Sequence, residues 1–286
     1  GGRSRTGRAP VTARWGVVAT VKAPRSAVLD FVAWHLDLGA ARVFVFLDDA
    51  DEGTREALAA MPRVTASATP RPWWRERHGF RPRKHQVRQV ANAARAYADA
   101  GDLDWLAHID VDEYLVPDTP LTAQLAALPP DALCARVKPM EALAPGDGVA
   151  PGETAFKTQL ADKAAHRAAG RRVFGAWGAH LPGGFLSHTL GKLFVRTGLP
   201  NAEPRIHHLC LGETTNPGQV VLTGTRLAHF HAPDWPTFAA HVAYRLDQGS
   251  YRADLGPPAP GGATLHALLG DLAAREGEAG LARFFA

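Results

Sequence analysis

Apolar runs of strand length alternate with segments of helical period over the first seventy positions. The runs at residues 16–21, 42–47 and 64–68 are rich in Val, Phe and Ala and are too short for helices. Helices are predicted between them, one capped by Ser26 and running to Leu38 before Gly39, and one from Thr54 to Ala60. This order predicts an α/β fold, with a mostly parallel sheet flanked by helices.

The pattern continues with a long helix over residues 82–100 and an apolar strand over residues 105–109. In the helix, Val87, Val90, Ala94 and Tyr97 recur at steps of three and four, which predicts its buried stripe. Later elements are weaker: a helix over 121–128, strands over 134–137, 192–195, 220–222 and 226–231, and an irregular segment over 142–184. The C-terminus is predicted to be helical over 236–246 and 265–285.

These elements predict one main domain with an appendage at each end. Residues 1–13 are expected to form a disordered lead, residues 14–235 the α/β domain, and residues 236–286 a helical extension packed on the same domain. With 286 residues, the chain is long enough to form a large core without disulfide or metal staples.

Composition narrows the class of protein. Hydrophobic residues make up 46% of the chain, yet no apolar run approaches the ~18 residues of a membrane span, so an ordinary globular protein is expected. Cys134 and Cys210 are the two cysteines, which excludes a disulfide scaffold and a zinc ribbon and favours a reducing compartment.

Positive charge is concentrated in one segment, from Arg71 to Arg88. It holds seven basic residues, one acid, Glu76, and three aromatic residues, whereas the whole chain carries only +4. Such a patch requires an anionic partner: a diphosphate, a nucleic acid or a lipid headgroup.

Two acidic strand ends carry the candidate chemistry. Asp110 and Asp112 follow the strand at 105–109, and if the chain stays extended their carboxylates project to the same side. Paired carboxylates at a strand end suit a hard cation such as Mg²⁺ or Mn²⁺, although a simple acidic turn has the same sequence. Asp48 and Asp49 follow the strand at 42–47, where a carboxylate can accept from a nucleobase or ribose or can form a solvated turn.

Four motifs in order resemble a known family. They are Trp34-His35-Leu36-Asp37-Leu38-Gly39, the run from Val43 to Asp49, the run from Asp51 to Thr54, and the run from Trp105 to Leu115, and the resemblance continues with Gly191 to Arg196 and with Ile206-His207-His208. Together they are similar to family 2-like GT-A glycosyltransferases, and to a bacterial branch that also resembles family 92 transferases. The resemblance covers residues 16–231, although 121–184 add almost nothing. It implies a GT-A type domain, Rossmann-like, followed by the C-terminal helical extension.

The resemblance implies roles for particular residues. Asp110 and Asp112 would hold Mn²⁺ or Mg²⁺ against the donor diphosphate, Asp48 would face the base or ribose, and Val21 would border it. A later histidine would supply a third metal ligand; His207, His208, His229 and His231 are candidates, and His208 is preferred. The family's Asn-Glu after the first strand is replaced here by Lys22-Ala23-Pro24.

Further donor contacts are predicted around these carboxylates. Lys192 and Arg196 lie four apart, so on a strand they share a face and could both reach phosphates. Lys84 lies in the basic segment. The resemblance implies that Asn92, with Gln86 and Gln89, lies near the donor, because these residues are on the helix before the metal motif. A catalytic base is also required. Glu113 and Glu141 are candidates for it, as are Asp147, Asp162, Glu213 and Asp234, and spacing does not choose among them.

The function expected from the resemblance is transfer of a sugar, such as a hexose, from a nucleotide-sugar, UDP-linked, to a glycan or lipid-linked acceptor in bacterial surface polysaccharide synthesis. A cytoplasmic protein is expected, with peripheral membrane contact through Arg71 to Arg88 and no nucleic-acid partner. Two alternatives stay open: another metal-dependent enzyme acting on phosphates, such as a nucleotidyltransferase or phosphodiesterase, and a non-catalytic nucleic-acid binder that uses the basic segment.

Overall fold

The computed structural model describes residues 12–49, 51–146, 149–253 and 264–286. The predicted lead lies outside the described residues except for Thr12 and Ala13, as does Asp147. Packing divides the described chain into two compact units: unit 1 contains residues 12–138 and 191–227, and unit 2 contains residues 139–190 and 228–286. The domain boundaries expected from the sequence stay a prediction.

Strands and helices alternate through the first part of the described chain. The strands are β1 (Trp15–Val21), β2 (Arg42–Leu47), β3 (Val64–Ala68), β4 (Trp105–His108), β5 (Glu113–Pro117), β6 (Cys134–Ala142), β7 (Phe156–Lys157), β8 (Lys192–Arg196), β9 (Ala202–Pro204), β10 (Leu209–Leu211), β11 (Thr214–Thr215) and β12 (Gln219–His229). The helices are α1 (Arg25–Asp37), α2 (Glu52–Ala59), α3 (Arg71–His78), α4 (His85–Ala98), α5 (Leu121–Ala126), α6 (Lys163–Phe174), α7 (Trp235–Asp247) and α8 (Leu265–Phe285). Short 3₁₀ turns cover Gly175–Ala179 and Pro182–Gly184. The predicted β–α–β–α–β opening is confirmed, and with it the α/β class.

The main sheet has the strand order β3-β2-β1-β4-β8-β6-β12-β5. Strands β3, β2, β1 and β4 are parallel, whereas β8 runs antiparallel to both β4 and β6. Because the chain goes outward from β1 to β3 and then returns to place β4 on the other side of β1, the strand order reverses between β1 and β4. In open α/β sheets, ligands bind at the carboxyl ends of the strands beside such a reversal.

Alternate side chains of the central strands fill two cores in unit 1. Val17 and Ala19 of β1 belong to the core that contains Phe31 of α1, whereas Val18 belongs to the core that contains Ala93 of α4. All of these side chains are at most 1% exposed. The parallel part of the sheet is therefore covered by helices on both faces, as its nearly continuous apolar strands require.

Helix ends follow local chemistry, with two corrections. Helix α1 begins at Arg25 after Pro24 without a side-chain cap, so Ser26 does not cap it, and Gly39 ends it with φ +94° as predicted. At α2 the cap is Asp51: its carboxylate accepts from the Thr54 N–H at 3.0 Å and from the Thr54 hydroxyl at 2.6 Å. Thr54 therefore lies inside the first turn, and an aspartate performs the capping.

Helix α4 buries a different face from the predicted one. Val87 is 49% exposed and Ala94 is exposed too. The buried side chains are those of Arg88, Gln89, Asn92, Ala93 and Ala96. The predicted apolar stripe is wrong because polar contacts with other elements hold the opposite face inside.

Several elements were not expected from the apolar pattern. Helix α3 lies within the basic segment, α6 lies within the segment predicted to be irregular, and β12 is one strand where two short ones were predicted. Strands β9, β10 and β11 form a separate small antiparallel sheet. These elements are short, polar or broken by glycine, so their periodicity is weak.

Unit 2 has its own apolar core. Phe238 and Val242 of α7 belong to it together with Leu269 and Leu272 of α8. Helix α8 is interrupted at Gly277, whose φ of +61° favours glycine. Among the described helices, none combines the length and the apolar character needed to cross a bilayer.

Candidate active site

The carboxyl ends of three parallel strands bring the acidic motifs to one edge of unit 1. The Asp48 N–H donates to the carbonyl of Val21 at 2.8 Å, and the Ile109 N–H donates to the carbonyl of Val18 at 3.0 Å. Asp48, at the end of β2, and Asp110, after β4, therefore flank the end of β1. This is the edge at which the strand order reverses, so it is the place where a ligand is expected.

Asp110 and Asp112 lie in a turn, not on an extended strand. Strand β4 ends at His108, the Glu113 N–H donates to the carbonyl of Asp110 at 3.0 Å, and β5 begins at Glu113. The Glu113 carboxylate accepts from the Asp110 N–H at 2.9 Å. Strand alternation therefore does not describe this motif, and hydrogen bonds within the turn hold Asp110 instead.

Lys192 neutralises this turn from the neighbouring strand β8. Its Nζ lies 2.8 Å from Asp110 Oδ2 and 3.4 Å from Glu113 Oε2, and the side chain is 1% exposed. Burial lowers the pKa of Lys192, but the two carboxylates outweigh burial and raise it to about 12. A contact between Lys192 and donor phosphates stays a prediction, and in this structure the lysine pairs with Asp110 and Glu113.

Gln89 is the polar residue of α4 that reaches the motif. Its Nε2 donates to Asp110 Oδ1 at 2.6 Å. Asn92, one turn later, is completely buried and donates to the Thr20 hydroxyl at 3.0 Å. Asn92 is therefore not accessible to a donor in this structure. Gln89 of the same helix contacts the acidic motif instead. Lys84 lies exposed at the N-cap of α4, and its donor contact stays a prediction.

Asp48 is surrounded by cations. Arg88 pairs with it through Nε at 2.7 Å and Nη2 at 2.6 Å, while Arg81 and His85 lie 3.0 and 3.3 Å from its oxygens. Burial raises the pKa of Asp48, but the hydrogen bonds from His85 and Arg88 outweigh burial and lower it to about 2. Asp49, the next residue, is half-buried. The carboxylate of Asp48 is thus committed to positioning these cations.

Neither proposed catalytic base is open in this structure. Glu113 is completely buried and holds Lys192 and the Asp110 N–H, so its assignment as the base is corrected to a positioning role. In unit 2, Glu141 is 2% exposed and accepts from the N–H groups of Leu186 and Ser187 at 2.9 and 2.7 Å. Its carboxylate also pairs with a lysine, Lys157, at 3.0 Å. Glu141 therefore organises its own loop.

Arg196 is not brought to the acidic edge. It pairs in register with Trp105, the first residue of β4, whereas Asp110 follows the last residue of that strand. Its Nε donates to the carbonyl of Ala132 at 3.0 Å, and its guanidinium lies 4.3 Å from the centre of the Trp105 ring. Lys192 and Arg196 share a face but belong to opposite ends of β8, so the prediction that both reach the donor is corrected for Arg196.

The metal role preferred for His208 stays a prediction. Within the described residues of unit 1, His208 forms no three-ligand group with Asp110 and Asp112. Its neighbour His207 hydrogen-bonds through Nδ1 to the carbonyl of Gly191 at 2.9 Å. In unit 2, the rings of His229 and His231 lie 5.2 Å apart. A metal role for either of these two stays a prediction.

His108 is a buried polar group that the sequence did not single out. It ends β4, and neither ring nitrogen has a hydrogen-bond partner in the described part of the chain. Burial, followed by the positive charge of Lys192, lowers the pKa of His108 to about 4. The ring is therefore neutral at pH 7. Only its place two residues before Asp110 could have indicated it.

The two carboxylates at the turn suit a hard divalent cation, but one of them is already paired. Asp110 and Asp112 supply carboxylate oxygens at one turn, which is the chemistry that Mg²⁺ and Mn²⁺ prefer. One of the two carboxylates already carries an ion pair with Lys192 and a hydrogen bond from Gln89. A cation at this turn would therefore share Asp110 with a lysine.

Comparisons with known proteins point to one class at low similarity. No protein-family model and no curated protein matches the chain. Among solved structures it is similar to the mannosyltransferase PcManGT from Pyrobaculum calidifontis in complex with GDP-Man and Mn²⁺, at 13% identity and a TM-score of 0.30, over 44% of this chain and 35% of that one. It is also similar to GalNAc-T7 with UDP, GalNAc and Mn²⁺, at 12% identity and a TM-score of 0.42, over 84% and 49%.

The chain thus spans about a third and about half of the lengths of these two proteins. Both are glycosyltransferases, the class that the sequence motifs resemble. Both similarities have TM-scores below 0.5.

Proposed function

We propose that this chain is a metal-dependent glycosyltransferase that binds a nucleotide-sugar at the carboxyl ends of β1, β2 and β4. The observation that carries the proposal is the turn at Asp110–Asp112, where two carboxylates follow the central strand beside the strand-order reversal. Gln89 and Lys192 hold the first of them from two other elements. Such a fixed acidic turn suits a cation that bridges to phosphate oxygens.

Asp110 and Asp112 would hold Mn²⁺ or Mg²⁺, which would neutralise charge on the departing nucleoside diphosphate. The chain's own residues supply the rest. Lys192 adds a second positive charge at the same turn. We assign contacts with the base or ribose to Asp49 and to the backbone around Val21, while Asp48 positions Arg81 and His85 beside them.

The finer assignments rest on the sequence resemblance. It supports a UDP-sugar as donor, a glycan or a lipid-linked molecule as acceptor, and a place in bacterial surface polysaccharide synthesis at the cytoplasmic side of the membrane. The third metal ligand is proposed to be a histidine, with His208 preferred on the resemblance and His207, His229 and His231 as the other candidates.

A panel of donors tests the proposal. The protein is incubated with UDP- and GDP-sugars and mixed glycan and lipid-linked acceptors, with Mn²⁺, Mg²⁺ or EDTA, and free nucleoside diphosphate and sugar transfer are measured. Parallel incubations contain nucleoside triphosphates in place of the sugar donors, and pyrophosphate release is measured. We expect metal-dependent release from one donor that is abolished in D110N/D112N and retained in D30N/D37N, a matched change at two exposed aspartates of α1. Pyrophosphate release from nucleoside triphosphates, without reaction of any sugar donor, would contradict it and indicate a nucleotidyltransferase.

A further inference from the structure

A polar cavity lies in unit 1, within the basic segment. It has a volume of about 510 Å³ and is lined by α3 and the loop after it. The side chains that matter for its chemistry are those of Arg71, Arg75, Phe80, Arg81 and Arg83, and we call it the arginine pocket. Gly79, with φ +76°, ends α3 and turns the chain so that the loop faces the helix.

The arginine pocket carries positive charge that the described chain does not neutralise. The guanidinium groups of Arg71, Arg75 and Arg83 make no ion pair or hydrogen bond with any described residue, and all three side chains are exposed. The one acid of the segment, Glu76, pairs with Arg77, which does not line the cavity. Arg71 and Arg75 are one helical turn apart, a spacing at which like charges destabilise a helix.

Contacts with the rest of unit 1 hold the residues of the arginine pocket in place. Trp74 anchors α3 with a completely buried ring. Arg88 donates to the carbonyls of Pro82 and Arg83 at 2.7 and 2.9 Å. Arg81 is held by the carboxylate of Asp48 at 3.0 Å. The cavity is therefore shaped before a ligand arrives, which reduces the entropy that binding would cost.

We propose that the arginine pocket binds a phosphate or diphosphate group of an organic molecule. Planar guanidinium groups match phosphate oxygens in pairs, and several of them around one cavity with no acid suit a multiply charged anion. Phe80 is 66% exposed at the rim and offers an apolar surface to whatever carries the phosphate. Arg81 is shared with the proposed donor site through Asp48, whereas Arg71, Arg75 and Arg83 are not, so these three arginines test the pocket apart from the proposed transferase.

Calorimetric titration of sodium pyrophosphate tests the pocket. The variant R71Q/R75Q/R83Q removes the three unpaired charges and leaves Arg81 on Asp48. The matched control R167Q/R171Q/R172Q removes three exposed arginines of α6 in unit 2. We expect binding by the wild type, weakening of at least about tenfold in the pocket variant, and a change below about twofold in the control. Equal weakening in both variants, or no binding by the wild type, would overturn the proposal.

Vesicle sedimentation identifies the source of the phosphate. Retention on phosphatidylcholine vesicles that contain phosphatidic acid, lost in the pocket variant alone, would support the proposal with a lipid headgroup as the ligand. Pyrophosphate binding without such retention would support it with a soluble diphosphate. Single-stranded RNA that binds more tightly than pyrophosphate through the same three arginines would overturn the assignment to a small phosphate group in favour of nucleic acid.

Discussion

The ammonium group of Lys192 is buried between two carboxylates, and this arrangement controls the chemistry of the acidic turn. Removing a charge from water is costly unless it is paired, so each of these three groups depends on the others. Lys192 and Glu113 are essentially inaccessible, whereas Asp110 is partly exposed. Lys192 therefore stabilises the fold by pairing with the buried Glu113. It also orients the Asp110 carboxylate at the site.

Substitution of Lys192 tests this pairing. K192M leaves Glu113 buried without its cation, so we expect a loss of about 3 to 5 kcal/mol in the free energy of unfolding. K192M/E113Q removes both charges and should lose less than the sum of the single variants, measured by urea denaturation as a double-mutant cycle. K138M, at an exposed lysine of β6, is the control. Additive losses in the cycle would refute direct coupling.

His35 gives the structure a predictable pH dependence. The residue is completely buried, its Nδ1 hydrogen-bonds to the carbonyl of Phe31 at 2.8 Å, and burial lowers its pKa to about 4. The unfolded chain, with an ordinary histidine pKa of about 6.5, therefore binds a proton first as pH falls. The stability from His35 is complete above pH ~6.5 and is lost towards pH ~4.

Chemical denaturation of wild type and H35F at pH 7 and pH 5 measures this effect. The wild type should lose about 2 kcal/mol more than H35F over this interval, because a phenylalanine at this position cannot bind a proton. Other groups contribute equally to both proteins and cancel in the difference. Identical pH slopes would show that His35 is not held neutral by the fold.

The sequence predicted the chemical type of the site residues better than it predicted their positions in the fold. Asp110 and Asp112 were expected at one edge of the sheet because they follow an apolar strand. Lys192 was expected only to reach phosphates, and the structure places its Nζ 2.8 Å from Asp110. Arg196 was misplaced because a spacing of four on a strand fixes the face but not which end of the strand meets the site. Glu113 was one of several candidates for the base among which spacing could not choose, and the contacts that bury it, with Lys192 and the Asp110 N–H, leave no local pattern.

Among the elements, α4 shows how tertiary contacts override periodicity. Arg88 and Gln89 are buried because they bond to Asp48 and Asp110, carboxylates 40 and 21 residues away in the sequence. Those long-range partners are invisible to a local pattern. Val87 and Ala94 of the expected stripe are left on the solvent side, where they cost little.

Lysine substitutions on the two faces of α4 test this orientation. V87K changes a side chain that is 49% exposed, and we expect the free energy of unfolding to change by less than about 0.5 kcal/mol. A93K places a charge at a side chain that is completely buried, and we expect a loss above about 3 kcal/mol. Thermal and urea denaturation compare the two. A larger loss for V87K would restore the originally predicted stripe.

Elements with strong patterns were predicted well. The three opening strands and the two C-terminal helices were located within one or two residues. For β1 and β2 the reason is a continuous run of buried apolar residues. Helix α3 was missed because it is mostly charged, and one buried residue, Trp74, holds it in place. Strand β12 was predicted as two separate strands because polar residues interrupt its apolar pattern.

At the scale of the whole chain, the two units differ in how far the sequence predicts them. Unit 1 is built mainly from strands and helices that follow one another, so the order of these elements along the chain predicted its parallel sheet. The core of unit 2 joins Leu181 to side chains of α7 and α8, more than fifty residues later in the sequence. Packing between such distant segments leaves no periodic signal, which is why residues 142–184 were predicted to be irregular.

The central claim, a metal-dependent donor site at Asp110 and Asp112, is tested most directly by calorimetric titration of UDP. The protein is measured with Mn²⁺ and with EDTA, as wild type, as D110N/D112N and as the control D30N/D37N. We predict binding that requires Mn²⁺, is weakened at least about tenfold in D110N/D112N, and is retained in the control. UDP binding that is unchanged by EDTA and by the loss of both aspartates would contradict the account.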